Sequence, residues 1–222
     1  MRTFTVKNAG IISTMTNGST ELRLRGISDN YPGFNHPLTF CPIQTKHKPA
    51  LMKAIWGSHK QLAGYINWAK YARSWNGTDM SKYIDSLIND PLPNQHFAFF
   101  IGNEVVGVGS LVECYTVVDC QISLWVNSKY QGMGIGKRIV HTLEDVAFRV
   151  HGFNILYYEH DSSNESSKRL PQKCGFQFSH SRDLAKTSSK ETGLWFSWYK
   201  YRPVDMPDGI LQGRDIDDFV NP

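Results

Sequence analysis

The sequence predicts an α/β (α+β) fold, on three observations. Residues 122–126 (ISLWV) form a short apolar, β-branched and aromatic run closed by Asn127 and Ser128, followed by glycines at 132, 134 and 136 and then a helical period. Residues 50–89 carry apolar positions at helical spacing. Residues 96–115 hold two apolar runs around Gly102-Asn103-Glu104, the pattern of a β-hairpin.

Taken in order, residues 1–49 read as a loop-rich extension. Two short strands are expected there, at residues 4–6 and 21–25, with turns at Tyr31-Pro32-Gly33, His36-Pro37, Cys41-Pro42 and Lys48-Pro49. Its apolar residues, Phe4, Leu22, Leu24, Tyr31, Phe34 and Phe40, require burial against the main domain. That domain is expected over residues 50–202. Leu51, Ile55, Leu62 and Ile66 mark helical structure, and residues 80–89 form a second amphipathic helix stopped by Pro91 and Pro93. The hairpin follows, then the strand at 122–126. Behind the glycines, Ile135, Ile139, Leu143, Val146 and Val150 share one helical face, and Gly152 occupies the place of a left-handed C-terminal residue.

A strand is expected at residues 153–159 and a loop rich in helix caps at 161–164. A short helix is expected at about 167–174, starting late enough to leave Pro171 in its first turn. The last strand is expected at 193–202. Residues 203–222, with three prolines and five aspartates, read as a tail.

Composition narrows the function class. Hydrophobic residues at 41% and charged residues at 20% are ordinary for a globular protein. No apolar run approaches the roughly 18 residues of a membrane span, and residues 1–10 lack the apolar core of a secretion signal. The four cysteines, Cys41, Cys114, Cys120 and Cys174, show neither zinc-ligand nor disulfide spacing, so no metal is expected and reduced thiols in a cytoplasm are. A net charge of +4 suits a polyanionic small ligand better than a nucleic acid.

The glycine stretch carries the chemistry. Glycines bare backbone N–H groups, and a helix opening behind them adds unpaired donors and the positive end of its dipole, a site for phosphate or pyrophosphate. The spacing fits neither Walker A nor the dinucleotide fingerprint. Gln131-Gly132-Met133-Gly134-Ile135-Gly136 instead resembles the Q/R-x-x-G-x-G/A signature of the GNAT superfamily of acetyltransferases. A second stretch, residues 164–176, resembles the N-x-x-S-x-x-x-x-x-x-x-G-F segment of the branch that acetylates ribosomal-protein N-termini, and Trp68-Ala69 and Ala147-Phe148 match pairs common in it.

The resemblance, over about residues 50–202, implies a central mixed, mostly antiparallel twisted sheet with helices on both faces. It implies acetyl-CoA as cosubstrate and a primary amine as acceptor: a protein or peptide N-terminus, a small amine or an aminated nucleotide. A non-catalytic coenzyme-A-binding interaction protein stays open beside it. By the same resemblance, the backbone of Leu124, Trp125 and Val126 pairs with the pantetheine arm. The N–H groups of Gln131, Gly132, Met133, Gly134, Ile135, Gly136 and Lys137 hold the pyrophosphate. Asn164 bonds the pantetheine, or caps a helix; Ser167 lies near the thioester sulfur, or is a cap as well. The base is where the sequence departs from the family, since Gln121 stands where glutamate is common and Ser179-His180 where Glu-Gly is. Glu113 and His160 lead as candidates, ahead of Glu159 and His180. Tyr115, Trp125, Tyr157, Tyr158, Trp195, Trp198 and Tyr199 are expected as core and leave a homodimer open; they lack the interleaved basic patch of a nucleic-acid surface.

Overall fold

The computed structural model describes residues 11–16, 19–24, 38–72, 74–91, 94–112 and 118–206. Strands β1 (Ile11–Thr16), β2 (Ser19–Leu24) and β3 (Leu38–Pro42) come first. Helices α1 (Lys48–Leu62), α2 (Ala69–Ala72) and α3 (Gly77–Ile88) follow, and then strands β4 (Gln95–Ile101), β5 (Glu104–Val112) and β6 (Asp119–Val126). Helix α4 (Ile135–Asp145) runs on as a π-helical turn, Val146–His151. Strand β7 (Ile155–Asp161), helix α5 (Glu165–Lys173) and strands β8 (Gln177–Asp183) and β9 (Leu194–Tyr201) complete the order.

The strands join one sheet in the order β1-β2-β3-β4-β5-β6-β7-β9-β8. Neighbours are antiparallel except β6 and β7, which the crossover through α4 makes parallel. Helices α4 and α5 cover one face, where Ile135, Ile139, Val140 and Leu143 pack with Ile122, Leu156, Tyr158 and Trp198. On the other face, Leu51, Ile55, Met80 and Ile84 of α1 and α3 pack with Ala98, Val108 and Trp125. Trp68, Trp75 and Tyr83 stack beside them, with ring centroids 4.6–6.3 Å apart. Strand β6 thus divides two cores. Its even residues Cys120 and Ile122 point into the α4 core, whereas Trp125 points into the α1 core.

Helix α4 lies very close to the sheet because β5 has no side chain beneath it at two positions. A Cβ on Gly107 would sit 2.7 Å from the Trp125 carbonyl oxygen and 2.8 Å from Ile139 Cδ1, and one on Gly109 would sit 2.7 Å from Ile139 Cγ2. Only glycine allows that approach.

Several expectations change. Strand β3 adds the fully buried Leu38 and Phe40 to the sheet, in a part of the chain read mainly as loops. Residues 4–6 lie outside the described residues. Helix α3 starts at Gly77 rather than 80, because Asn76 caps it by accepting from the N–H groups of Thr78 and Asp79 at 2.8 and 3.0 Å. Helix α5 starts at Glu165, and Pro171 lies in its interior rather than its first turn. The Asn164 side chain accepts from the Ser167 N–H at 3.2 Å, and that cap starts the helix earlier than the proline alone suggested. Strand β8, every residue of it exposed, is an addition: QFSHSRD is too polar to read as a strand, and it forms by pairing with the aromatic β9.

Candidate active site

The parallel ladder between β6 and β7 is short. It registers Asp119 with Ile155, Cys120 with Leu156, Gln121 with Tyr157 and Ile122 with Tyr158, and there it ends. Beyond it, residues 123–126 continue along β5 and residues 159–161 along β9. The two strands therefore part after Ile122 and Tyr158, leaving the backbone of Leu124, Trp125 and Val126 along one side of a cleft.

The glycine loop stands at the open end of β6. Asn127 anchors its start, donating through Nδ2 to the Val105 carbonyl at 2.9 Å, while Ser58 on α1 accepts from the Ser128 N–H at 3.0 Å. Gly132 and Gly134 take φ values of 77° and 75°, and Gly134 is the N-cap of α4. A side chain at either would be strained in this left-handed region. A Cβ on Gly132 would meet nothing within 4 Å, so its backbone borders open space. The first turn of α4 holds Lys137 and no acidic residue. Its N–H groups and dipole combine with that cation into an anion site. Gln131, Met133 and Lys137 are exposed, and Gln131 also donates through Nε2 to the Val126 carbonyl at 3.3 Å.

Helix α5 flanks the vertex of the cleft. Ser167, in its first turn, lies near Tyr158, the last β7 residue paired to β6. Burial pushes the Tyr158 hydroxyl up to about 12. Asn164 is occupied as the cap described above. The fold brings these residues, Leu124–Val126 and the loop around one opening.

The candidate bases are not brought together. Glu113 and Tyr115 lie outside the described residues. His160 is buried, with Nδ1 2.8 Å from the Asp161 carbonyl and Nε2 3.0 Å from the Trp198 indole nitrogen. The indole N–H can only donate, so Nε2 accepts and Nδ1 carries the hydrogen bonded to the carbonyl. Burial lowers its tendency to protonate, and both ring nitrogens are engaged in the core. Glu159 accepts from the Ser197 hydroxyl at 2.6 Å and pairs with Arg182 at 2.6 Å, while His180 lies exposed on β8.

One carboxylate of the cap-rich loop does more than the sequence indicates. Asp161, at the end of β7, accepts from the Ser163, Thr192 and Gly193 N–H groups and from the Ser163 and Thr192 hydroxyls, at 2.7–3.1 Å. It ties the β8–β9 loop to β7. The same loop reaches the turn after α1, where Ser188 donates to the Gly64 carbonyl and Lys190 Nζ lies 5.9 Å above the Tyr65 ring. The Asx-like Asp161-Ser162-Ser163 run was a signal for the local bonds, but nothing nearby pointed to Thr192, 31 residues on.

Among known structures, RimL, a ribosomal L7/L12 alpha-N-protein acetyltransferase in complex with coenzyme A, superposes with a TM-score of 0.67 at 17% identity, over 77% of this chain and 97% of that one. The Salmonella typhimurium acetyl transferase that modifies the N-terminal serine of L7/L12 gives 0.65 at 16%, over 78% and 99%. The microcin C7 self-immunity acetyltransferase MccE, in complex with acetyl-CoA and AMP, gives 0.66 at 16%, over 76% and 93%. These identities express likeness of fold. No curated protein sequence matches the chain. The model of the acetyltransferase (GNAT) family matches residues 60–176, more than half of the 222, and spans both the parting strands and the glycine loop. The chain therefore belongs to the GNAT family of acetyltransferases.

Proposed function

We propose that the chain is an acetyl-CoA-dependent N-acetyltransferase that moves the acetyl group to a primary amine by direct attack on the thioester. The observation that carries this reading is the parting of β6 from β7 after Ile122 and Tyr158, with the α4 N-terminus at the end of the opening. An extended, amide-bearing arm ending in a diphosphate suits both parts: strand-like backbone for the arm, bare N–H groups for the phosphates.

In this reading the backbone of Leu124 to Val126 pairs with the pantetheine, and the N–H groups of Gln131 to Lys137 grip the diphosphate. Asn164 sits beside the arm as helix cap and partner. The bound cosubstrate supplies an activated acyl carbonyl. A strand N–H near Val126 stabilises charge on its oxygen, and alignment of the two reactants lowers the barrier further. Ser167, in the first turn of α5, faces the departing sulfur. The amine must arrive neutral, which requires a proton acceptor close to it.

The acceptor class we favour is a protein or peptide N-terminus, as named for RimL. A small amine or an aminated nucleotide comes second, in view of the AMP bound to MccE. Residues 50–202 form the acetyltransferase domain in this reading, acting in a cytoplasm, with a homodimer as an accessible assembly.

The test follows thiol release from acetyl-CoA with a panel of peptides and amines. Turnover with an amine is expected, and Gly134→Glu, which adds bulk and negative charge at the loop, should weaken coenzyme A affinity at least about a hundredfold, with strain of only about 1–2 kcal/mol. Tight coenzyme A binding with no acceptor turned over would favour a non-catalytic binder. Unchanged affinity in Gly134→Glu would remove the loop from the site.

A further inference from the structure

Three polar side chains form a hydrogen-bonded chain from the α3–β4 connection onto the sheet face covered by α1 and α3. Ser110 Oγ lies 2.8 Å from His96 Nδ1, and His96 Nε2 lies 2.8 Å from Asp90 Oδ2. Asn94 Nδ2 steadies Asp90 from 3.3 Å on each oxygen. The carboxylate can only accept, so Nε2 carries a hydrogen, and in the neutral tautomer Nδ1 presents a lone pair to the Ser110 hydroxyl. The His96 and Ser110 side chains are nearly fully buried, at 8% and 7% exposure. The Asp90 side chain is 29% exposed, so the chain runs from the protein surface to a buried imidazole and hydroxyl.

Its location gives it a use. His96 is registered opposite Ser110, and Ser110 opposite Ser123, so the three side chains form one row across β4, β5 and β6. Ser123 is the first β6 residue past the last pair with β7, and it is exposed. The row therefore leads from a buried imidazole to the vertex of the cleft. Registered neighbours have Cβ atoms about 4.5–5.5 Å apart, a gap that one water beside Ser123 spans.

We propose that Asp90, His96 and Ser110 form the proton relay that accepts the proton of the attacking amine, entering at Ser123. This rests on the acetyltransferase reading above. The ammonium proton of the arriving amine passes through the water to Ser110 Oγ, and the Ser110 proton passes to His96 Nδ1. Asp90 stabilises the resulting imidazolium. The neutral amine nitrogen then bonds to the acyl carbon, the C–S bond breaks with its electron pair leaving on the coenzyme A sulfur, and that sulfur takes the second nitrogen proton; the relay returns its own proton to solvent after the product departs. The arrangement supplies what Gln121 cannot: a group on this face of the sheet able to take up a proton.

His96→Gln tests it, because glutamine keeps an acceptor for Ser110 and a donor for Asp90 but is not basic. The expected result is a kcat lower by about a hundredfold or more, with the KM for acetyl-CoA and coenzyme A affinity unchanged. The loss should be larger for an alkyl amine than for an acceptor already neutral at pH 7, a dependence that a merely structural role would not create. Should His96→Gln also lower Tm or coenzyme A affinity, Ser110→Ala decides, since it interrupts the relay and leaves the His96–Asp90 pair; a kcat reduced at least about tenfold is expected. Wild-type kcat in Ser110→Ala, or in a stable His96→Gln, overturns the relay while leaving the acetyltransferase reading intact. A wild-type chain that turns over no amine overturns both.

Discussion

At the scale of single residues, the cleft combines one group whose role depends on chemistry with others whose role depends on position. In the proposed reading Ser167 faces the leaving sulfur, but a thiol of pKa near 8.5 departs as an anion without much help. Ser167→Ala is therefore expected to lower kcat by less than about tenfold while leaving the KM of the amine unchanged, measured by steady-state thiol release. Asp161 depends on position. Burial works to raise its pKa, but hydrogen bonds from Ser163, Thr192 and Gly193 outweigh that and pull the carboxyl down to about 2. A carboxylate depressed in the folded state stabilises above its unfolded pKa, and the contribution is lost as pH falls through the folded one. The window is from about pH 4 to about pH 2, and the stake is about 2 kcal/mol. Acid titration of stability should show that loss in the wild type and a flatter profile in Asp161→Asn.

Residue chemistry also decides what a reader of the sequence can find. The glycine loop is legible because its residues are consecutive and the chemistry is in the backbone. Asp90, His96 and Ser110 are not, because only the register of β4 against β5 brings His96 and Ser110 face to face. Asp161 fails for the same reason, since Thr192 reaches it through the pairing of β7 with β9.

At the scale of elements, the seating of α4 on β5 sets where the loop points. Two glycines, Gly107 in strand β5 and Gly57 in helix α1, should behave oppositely. Gly107→Ala places a Cβ 2.7 Å from a backbone oxygen, which cannot move aside as a side chain can, and should cost about 1–3 kcal/mol of stability by denaturant titration. Gly57, exposed in the interior of α1 with nothing within 4 Å of an added Cβ, should tolerate alanine and gain up to about 1 kcal/mol. Elements with strong periodicity were legible: α1, α3, α4, β4 and β6 lie where spacing put them, to within a few residues at their ends. The edge strand β8 was not, because its residues are held by a neighbour rather than by their own apolar pattern. The start of α5 is not legible because a proline is a louder signal than a cap, although the cap at Asn164 decides it.

At the scale of the whole molecule, the sheet order could not be read from local patterns. The insertion of β9 between β7 and β8 depends on which long-range pairing buries the most aromatic surface, and Phe196 and Trp198 go to the α4 side of the sheet. The consequence of this arrangement lies in β6, which has helices α4 and α5 on one side and α1 and α3 on the other. In the proposed reading two reactants reach the same strand from opposite sides through separate doorways, and neither must vacate before its counterpart enters. Bisubstrate kinetics should accordingly show double-reciprocal lines that intersect; parallel lines, the mark of a covalent shuttle, would mean that the acyl group rests on the protein between the two visits.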